Sequence, residues 1–168
     1  MASLTEKTDT EINQWIHNHE QKGATSAQLY LQLLEERARR SQGKGHLSID
    51  ISLELLVQAA IEQRCVTYGD LAKASKVEWG QARHRMSGAN GHLDRLLDVC
   101  HARGLPMLPA ICVNESGRGT GELEASALGG FAAGARRVGF AVEDELSFHR
   151  QTRDACWQWG KEQSRTRL

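Results

Sequence analysis

Residues 65–86 read Cys65-Val66-Thr67-Tyr68-Gly69-Asp70-Leu71-Ala72-Lys73-Ala74-Ser75-Lys76-Val77-Glu78-Trp79-Gly80-Gln81-Ala82-Arg83-His84-Arg85-Met86. Cys65 to Tyr68 is short, β-branched and aromatic, the composition of a strand. Gly69-Asp70 punctuates it. Leu71 to Ser75 and Trp79 to Met86 then have the length of two short helices. A brief strand followed by two helices about ten residues apart predicts a helix-turn-helix, with the second helix as the reading element. That helix carries Gln81, Arg83, His84 and Arg85 together. Arginine bonds a guanine edge with two hydrogen bonds and glutamine can do the same for adenine. Arginine also grips phosphate without reading sequence.

Charge supports a local reading only. Lys+Arg and Asp+Glu are 21 each, so the 168-residue chain has no net charge. That excludes a strongly basic coat protein. From Lys73 to Arg103, however, Lys73, Lys76, Arg83, Arg85, Arg95 and Arg103 face Glu78, Asp94 and Asp98, a local excess of three. The plain alternative is a solvated helix face.

Helical periodicity surrounds this segment. Leu4 to Gln21 carries Ile12, Trp15, Ile16 and His19 on one face. Thr25 and Gln28 have capping-box spacing ahead of a stripe of Leu29, Tyr30, Leu33 and Leu34. Ser41 to Gly45 reads as a link. Ser48 or Asp50 can cap a helix with Ile51, Leu55, Leu56, Ala59 and Ala60. Leu93, Leu96, Leu97 and Cys100 mark another. Pro109 to Val113 reads as a buried strand, and Asn114 to Gly121 as a glycine-rich turn in which Arg118 can follow a nucleic-acid backbone as a wing does. Ala125 to Val138 is a small-residue helix. Asp144 caps a last helix carrying Phe148, Thr152, Cys156 and Trp159, with a frayed tail from Lys161. The expected fold is mainly α with a small β-sheet: a winged helix-turn-helix core over 61–121, a helical segment over 1–60 before it, and helices over 122–168 after it.

The quoted segment also resembles a family. Val66-Thr67-Tyr68-Gly69-Asp70-Leu71-Ala72 is similar to the segment that opens the DNA-binding half of O6-alkylguanine-DNA alkyltransferases. Ala82-Arg83 looks like the start of that family's recognition-helix motif. Gly104 to Val113 is similar to the approach to its Pro-Cys-His-Arg-Val active site, and Ser116-Gly117 and Thr120-Gly121 to the turn after it. The likeness covers roughly residues 64 to 121. It implies that Tyr68 contacts the backbone at the target and that Arg83 enters the base stack. The departures imply lost chemistry. Ala110 stands where the family has its nucleophilic cysteine, and Ile111 and Cys112 replace the His and Arg that follow. Leu93 to Arg103 adds a whole helix ahead of Pro109.

No other chemistry has a complete residue set. The four cysteines lack Cys-x-x-Cys spacing and the histidines lack zinc spacing, so no metal or cofactor is expected. Glu115, Glu122 and Glu124 near Arg118 are a minimal recipe for a metal-dependent nucleic-acid enzyme, without a second acidic strand. No apolar run approaches the ~20 residues that span a bilayer. The polar stretch Met1 to His19 is no signal peptide. The expected protein is therefore cytoplasmic and binds DNA through Tyr68, Gln81, Arg83, His84, Arg85 and Arg118, favouring distorted or modified DNA. The alternative is a protein-binding adaptor or inhibitor, for example in phage–bacterium conflict.

Overall fold

The structure is a computed structural model that describes residues 3–41 and 46–166. Most of the expected link at Ser41 to Gly45 thus lies outside the described residues. Eight α-helices are described: α1 (Asp9–Gln21), α2 (Gln28–Arg40), α3 (Ile49–Ile61), α4 (Tyr68–Ala74), α5 (Trp79–Met86), α6 (His92–Ala102), α7 (Ala125–Arg137) and α8 (Glu145–Thr166). Two strands, β1 (Val66–Thr67) and β2 (Cys112–Val113), pair in parallel with Val66 opposite Cys112 and Thr67 opposite Val113. The protein is mainly α with a small β-sheet, as the sequence predicts, and the two strands of that sheet run parallel.

Capping chemistry sets the helix starts. Thr8 and Glu11 form a reciprocal capping box, so α1 begins at Asp9 and Leu4–Glu6 is a separate 3-10 turn rather than the start of the same helix. Thr25 does not cap α2; Ala27 holds that position with no side-chain bond. The Thr25 carbonyl instead accepts a hydrogen bond from His101 at 2.6 Å. Ser48 caps α3, and Asp144 caps α8 by accepting from the Ser147 amide at 2.7 Å. α8 stays helical to Thr166 where the sequence predicts fraying. In α3 the buried face runs through Ser52, Leu53, Leu56, Ala59 and Ala60, turning Ile51 outward.

The expected strand over Pro109 to Val113 is shorter than its apolar run. Leu108–Ile111 winds as a 3-10 turn and only Cys112–Val113 pairs. Pro109 has no N–H for a ladder, and β1 offers only two residues of partner. The following segment makes a 3-10 turn at Glu115–Gly117, with no β-hairpin among the described residues.

Two apolar clusters are buried. The smaller joins Ile12 and Ile16 of α1 to Tyr30, Leu33 and Leu34 of α2. The larger runs from Ala38 to Cys156 and packs α3, α6 and α8 around the 3-10 turn at Leu108–Ile111, with α7 against α6 and α8. α3 and α8 cross so closely that a Cβ at Gly160 would lie 2.1 Å from the Ala60 carbonyl oxygen.

Ion pairs bind the two clusters together. Asp98 on α6 is fully buried and accepts from Arg37 of α2 at 2.8 Å, Arg95 of α6 at 3.0 Å and Arg137 of α7 at 2.5 Å. Arg137 also donates to Glu20, which accepts the Tyr30 hydroxyl as well. Asp98→Asn should therefore destabilise the fold by about 3–5 kcal/mol in urea unfolding, because removing one member leaves buried guanidinium charge uncompensated. A loss below about 1 kcal/mol would show that the network is not a structural tie.

Two buried histidines add a pH dependence. Burial lowers His92 from its ordinary value near 6.5 to about 4, and burial also lowers His149. The stabilisation from His92 is complete above pH 6.5 and is lost as pH falls toward 4, since the unfolded chain binds protons first; His149 acts in the same direction. Between pH 7 and pH 4.5 the wild type should lose about 2.5 kcal/mol more than His92→Gln. Parallel losses in the two proteins would exclude His92 as the cause.

Candidate nucleic-acid interface

The segment around β1 and α4 is held rigidly. Thr67 caps α4 through the Asp70 amide, and the Asp70 carboxylate accepts the Thr67 amide at 2.9 Å. Arg118 closes this box from the other side of the sequence. Its guanidinium donates to Asp70 at 2.9 and 3.1 Å, to Glu115 at 3.0 Å and to the Thr67 hydroxyl at 3.2 Å. Burial alone would raise Asp70, but the bonds from Arg118 and the Thr67 amide hold it below the usual carboxylate range. Arg118 thus fastens the 114–121 loop to the start of α4, and two carboxylates already occupy its charge.

α5 presents the other predicted residues. Ala82 and Met86 bury its inner face. Gln81, Arg83, His84 and Arg85 are all exposed. Arg83 has no hydrogen-bond or ion-pair partner among the described residues. Arg85 donates to His46 Nδ1 at 2.9 Å. Trp79 opens the helix with 47% of its surface exposed.

Tyr68 begins α4 and is half-buried against the larger core. Burial raises its hydroxyl pKa, with smaller contributions in the same direction from Cys112 and Glu124. That hydroxyl has no hydrogen-bond partner among the described residues. It lines a cavity of about 490 Å³ with Leu93, Pro109, Cys112, Asn114 and Phe131. The volume falls within the roughly 300–1,000 Å³ of small-molecule sites. Asp94, Ser126 and Arg137 add polar groups to the wall, and Gly130 leaves it open on the α7 side. Asn114, Ser126 and Phe131 carry no motif in the sequence; the pairing of β2 with β1 brings Asn114 to Tyr68, and the return of α7 brings Ser126 and Phe131.

The wall holds no activated nucleophile. Ala110 is fully buried and its carbonyl accepts from His149 Nε2 at 2.9 Å. The Cys112 thiol does line the cavity, but burial pushes its pKa well above the ordinary value. A thiol in that setting is a poor nucleophile. The acidic residues of the loop are also engaged: Glu115 with Arg118, Glu122 with Arg150 and Arg153, and Glu124 with Ser116. Among the described residues no group of three or more His, Cys, Asp and Glu is placed to hold a metal. No helix among the described residues is long and apolar enough to cross a membrane.

No family model, curated protein or solved structure matches this chain.

Cys65, Cys100, Cys112 and Cys156 are all free and buried. Iodoacetamide at pH 8 should leave all four unmodified in the native protein and label all four in denaturant, as intact-mass measurement would record. Rapid native labelling of Cys112 would mean that the cavity does activate its thiol.

Proposed function

We propose that this chain is a non-catalytic DNA-binding protein that favours distorted or modified DNA. In this reading α4 and α5 act as a helix-turn-helix, and the loop fastened by Arg118 stands in the place of a wing. One juxtaposition supports it. The solvent face of α5, with Gln81, Arg83 and His84, ends at a turn whose Ser87 lines the same cavity as Tyr68. A base rotated out of a duplex needs an apolar, partly polar recess beside a cationic element that stays with the strand. A base that is already mispaired or damaged costs least to extrude, which gives a preference without any reaction.

The resemblance to alkyltransferases supports the same reading. It assigns Tyr68 to the target backbone and Arg83 to the stack, while Ala110 removes the alkyl acceptor. Arg118 acts here by positioning the loop, its guanidinium being shared between Asp70 and Glu115.

A protein-docking role is the second reading. Trp79 favours it, because an exposed tryptophan at a helix start is a common anchor at protein interfaces. Salt separates the two, since each phosphate contact adds about 0.9 to the slope of log affinity against log salt.

Fluorescence anisotropy at two salt concentrations tests the reading with plain duplex, single strand, mismatched duplex and duplex carrying O6-alkylguanine. Binding should weaken steeply with salt and be tightest for the altered duplexes. Arg83→Ala and Arg85→Ala should each cost about tenfold, within the 1–3 kcal/mol of one arginine contact. Absence of binding to every ligand at low salt would exclude the DNA reading.

A further inference from the structure

The polar groups of the Tyr68 cavity are sorted along α7. That helix lines the cavity from Ser126 through Gly130 and Gly134 to Arg137. Ser126 and Gly134 are eight residues apart, about 12 Å along a helix axis. Asn114 stands at the Ser126 end, where its side-chain oxygen accepts the Glu124 amide at 3.1 Å. Its NH2 group is thereby left as a donor. Asp94 of α6 stands at the Gly134 end. Its Oδ2 accepts the Asn90 amide at 3.1 Å. Its Oδ1 has no hydrogen-bond partner among the described residues, and a Cβ on Gly134 would lie 3.2 Å from it. The rest of the wall is mostly apolar, with Leu93, Leu97, Pro109 and Phe131.

Charge narrows what can enter. Asp94 is half-buried and makes no ion pair among the described residues. Arg137 lies near it but donates to Asp98 and Glu20. Burial would lower the Arg137 pKa, and the carboxylates of Asp98, Asp94 and Glu20 together raise it. Those three carboxylates balance the three guanidiniums of Arg37, Arg95 and Arg137. A charged ligand therefore finds no spare counterion here. An anion or a carbonyl oxygen would be set against Asp94 Oδ1, whereas a neutral N–H donor would satisfy it.

We infer that Asp94 makes this cavity selective for nucleobases that carry an exocyclic amino group, over those with a carbonyl oxygen in its place. Adenine and cytosine fit where hypoxanthine and uracil do not. The inference rests on the reading that a base enters the cavity, and adds which edge of the base is read. A hydrogen bond to a charged acceptor is strong enough to decide between the two edges. The helix that supplies Asp94 is the one with no counterpart in the resemblance to alkyltransferases. Asp94→Asn tests the geometry directly. The Asn90 amide is a donor and keeps the side-chain oxygen, so the new NH2 group takes the place of Oδ1 and the preference inverts.

Two measurements on the full chain test it. Duplexes carry adenine, hypoxanthine, cytosine or uracil opposite an abasic site, so that no base pair has to be broken. By fluorescence anisotropy, adenine should bind about tenfold tighter than hypoxanthine, and cytosine than uracil. In Asp94→Asn both orders should reverse. Free adenosine, inosine, cytidine and uridine are then titrated while the backbone amide NMR signals of Gly130 and Gly134 are followed. Those signals should shift saturably with the same order of affinity, and Gly23, beyond α1, should stay still. Equal affinities in the wild type, or one preference shared by wild type and variant, would overturn the inference and leave DNA binding standing. The wild-type comparison decides this even if the variant does not fold. Selectivity among free nucleosides without affinity for any duplex would reject the DNA reading and keep the inference. Selectivity among the duplexes alone would support it for a base held in a strand. Silence from every nucleoside and every duplex would overturn both.

Discussion

The fold is organised by one buried carboxylate. Asp98 has no exposed surface and accepts hydrogen bonds from guanidiniums on α2, α6 and α7. A single carboxylate out of water would be costly, and so would any one of those arginines. Together with Glu20 the group holds two negative and three positive charges. Each member is retained because its neighbours would otherwise be stranded. The consequence is geometric. α6 is locked to the N-terminal pair of helices through Arg37, and to α7 through Arg137. Arg95 then props the α5–α6 turn, and Arg137 lines the Tyr68 cavity. The Tyr68 cavity and the turn at its rim are therefore set by the same carboxylate, one through each arginine.

A chain with no net charge can still present a cationic face if its acids are used internally. Arg39 and Arg40 meet Glu36, Arg103 meets Glu35, and Arg118 meets Asp70 and Glu115. Most arginines are thus committed to carboxylates that they help to place. Arg83 is an exception, on the outer face of α5 and next to His84. Balance over the whole sequence and imbalance at one helix are compatible, and only the second matters to a nearby polyanion. Screening leaves a Debye length of about 8 Å at physiological salt, so charges farther off add little.

Helix identity was legible wherever apolar spacing was regular. The stripes through Ile12 and Ile16, Tyr30 and Leu34, and Leu96 and Cys100 all became buried faces. The α4–α5 pair was legible from its length and punctuation. The sheet was harder, because two residues at 66–67 pair with two at 112–113 and neither pair has a periodicity of its own. Pro109 sits inside an apolar run that looks like strand, and its missing N–H favours a 3-10 turn. Arg118 reads in sequence as a wing-like contact to a nucleic-acid backbone, and its bond to Asp70 was hidden because Asp70 lies 48 residues away. Asp98 was the least legible residue. In sequence it is one more charge on an amphipathic helix, and two of its three partners are 61 and 39 residues distant. Of the candidate site, Tyr68 and the α5 side chains were visible in advance. The recess they border was not, because α7 supplies much of its wall.

Recognition and reaction need different surroundings for the same wall. A recess that holds a base gains by excluding water, since stacking and hydrogen bonds both strengthen in a lower dielectric. A thiol in that recess loses by the same exclusion, because its charged form is the one that water stabilises. Alkyl transfer reconciles the two only where a base or cation beside the sulfur restores the thiolate. Here Ala110 has no sulfur, and its carbonyl is tied to His149. Cys112 has a sulfur, but burial raises its pKa and the Asp70 carboxylate raises it further. The burial that closes the recess therefore withholds the thiolate from the one sulfur in its wall.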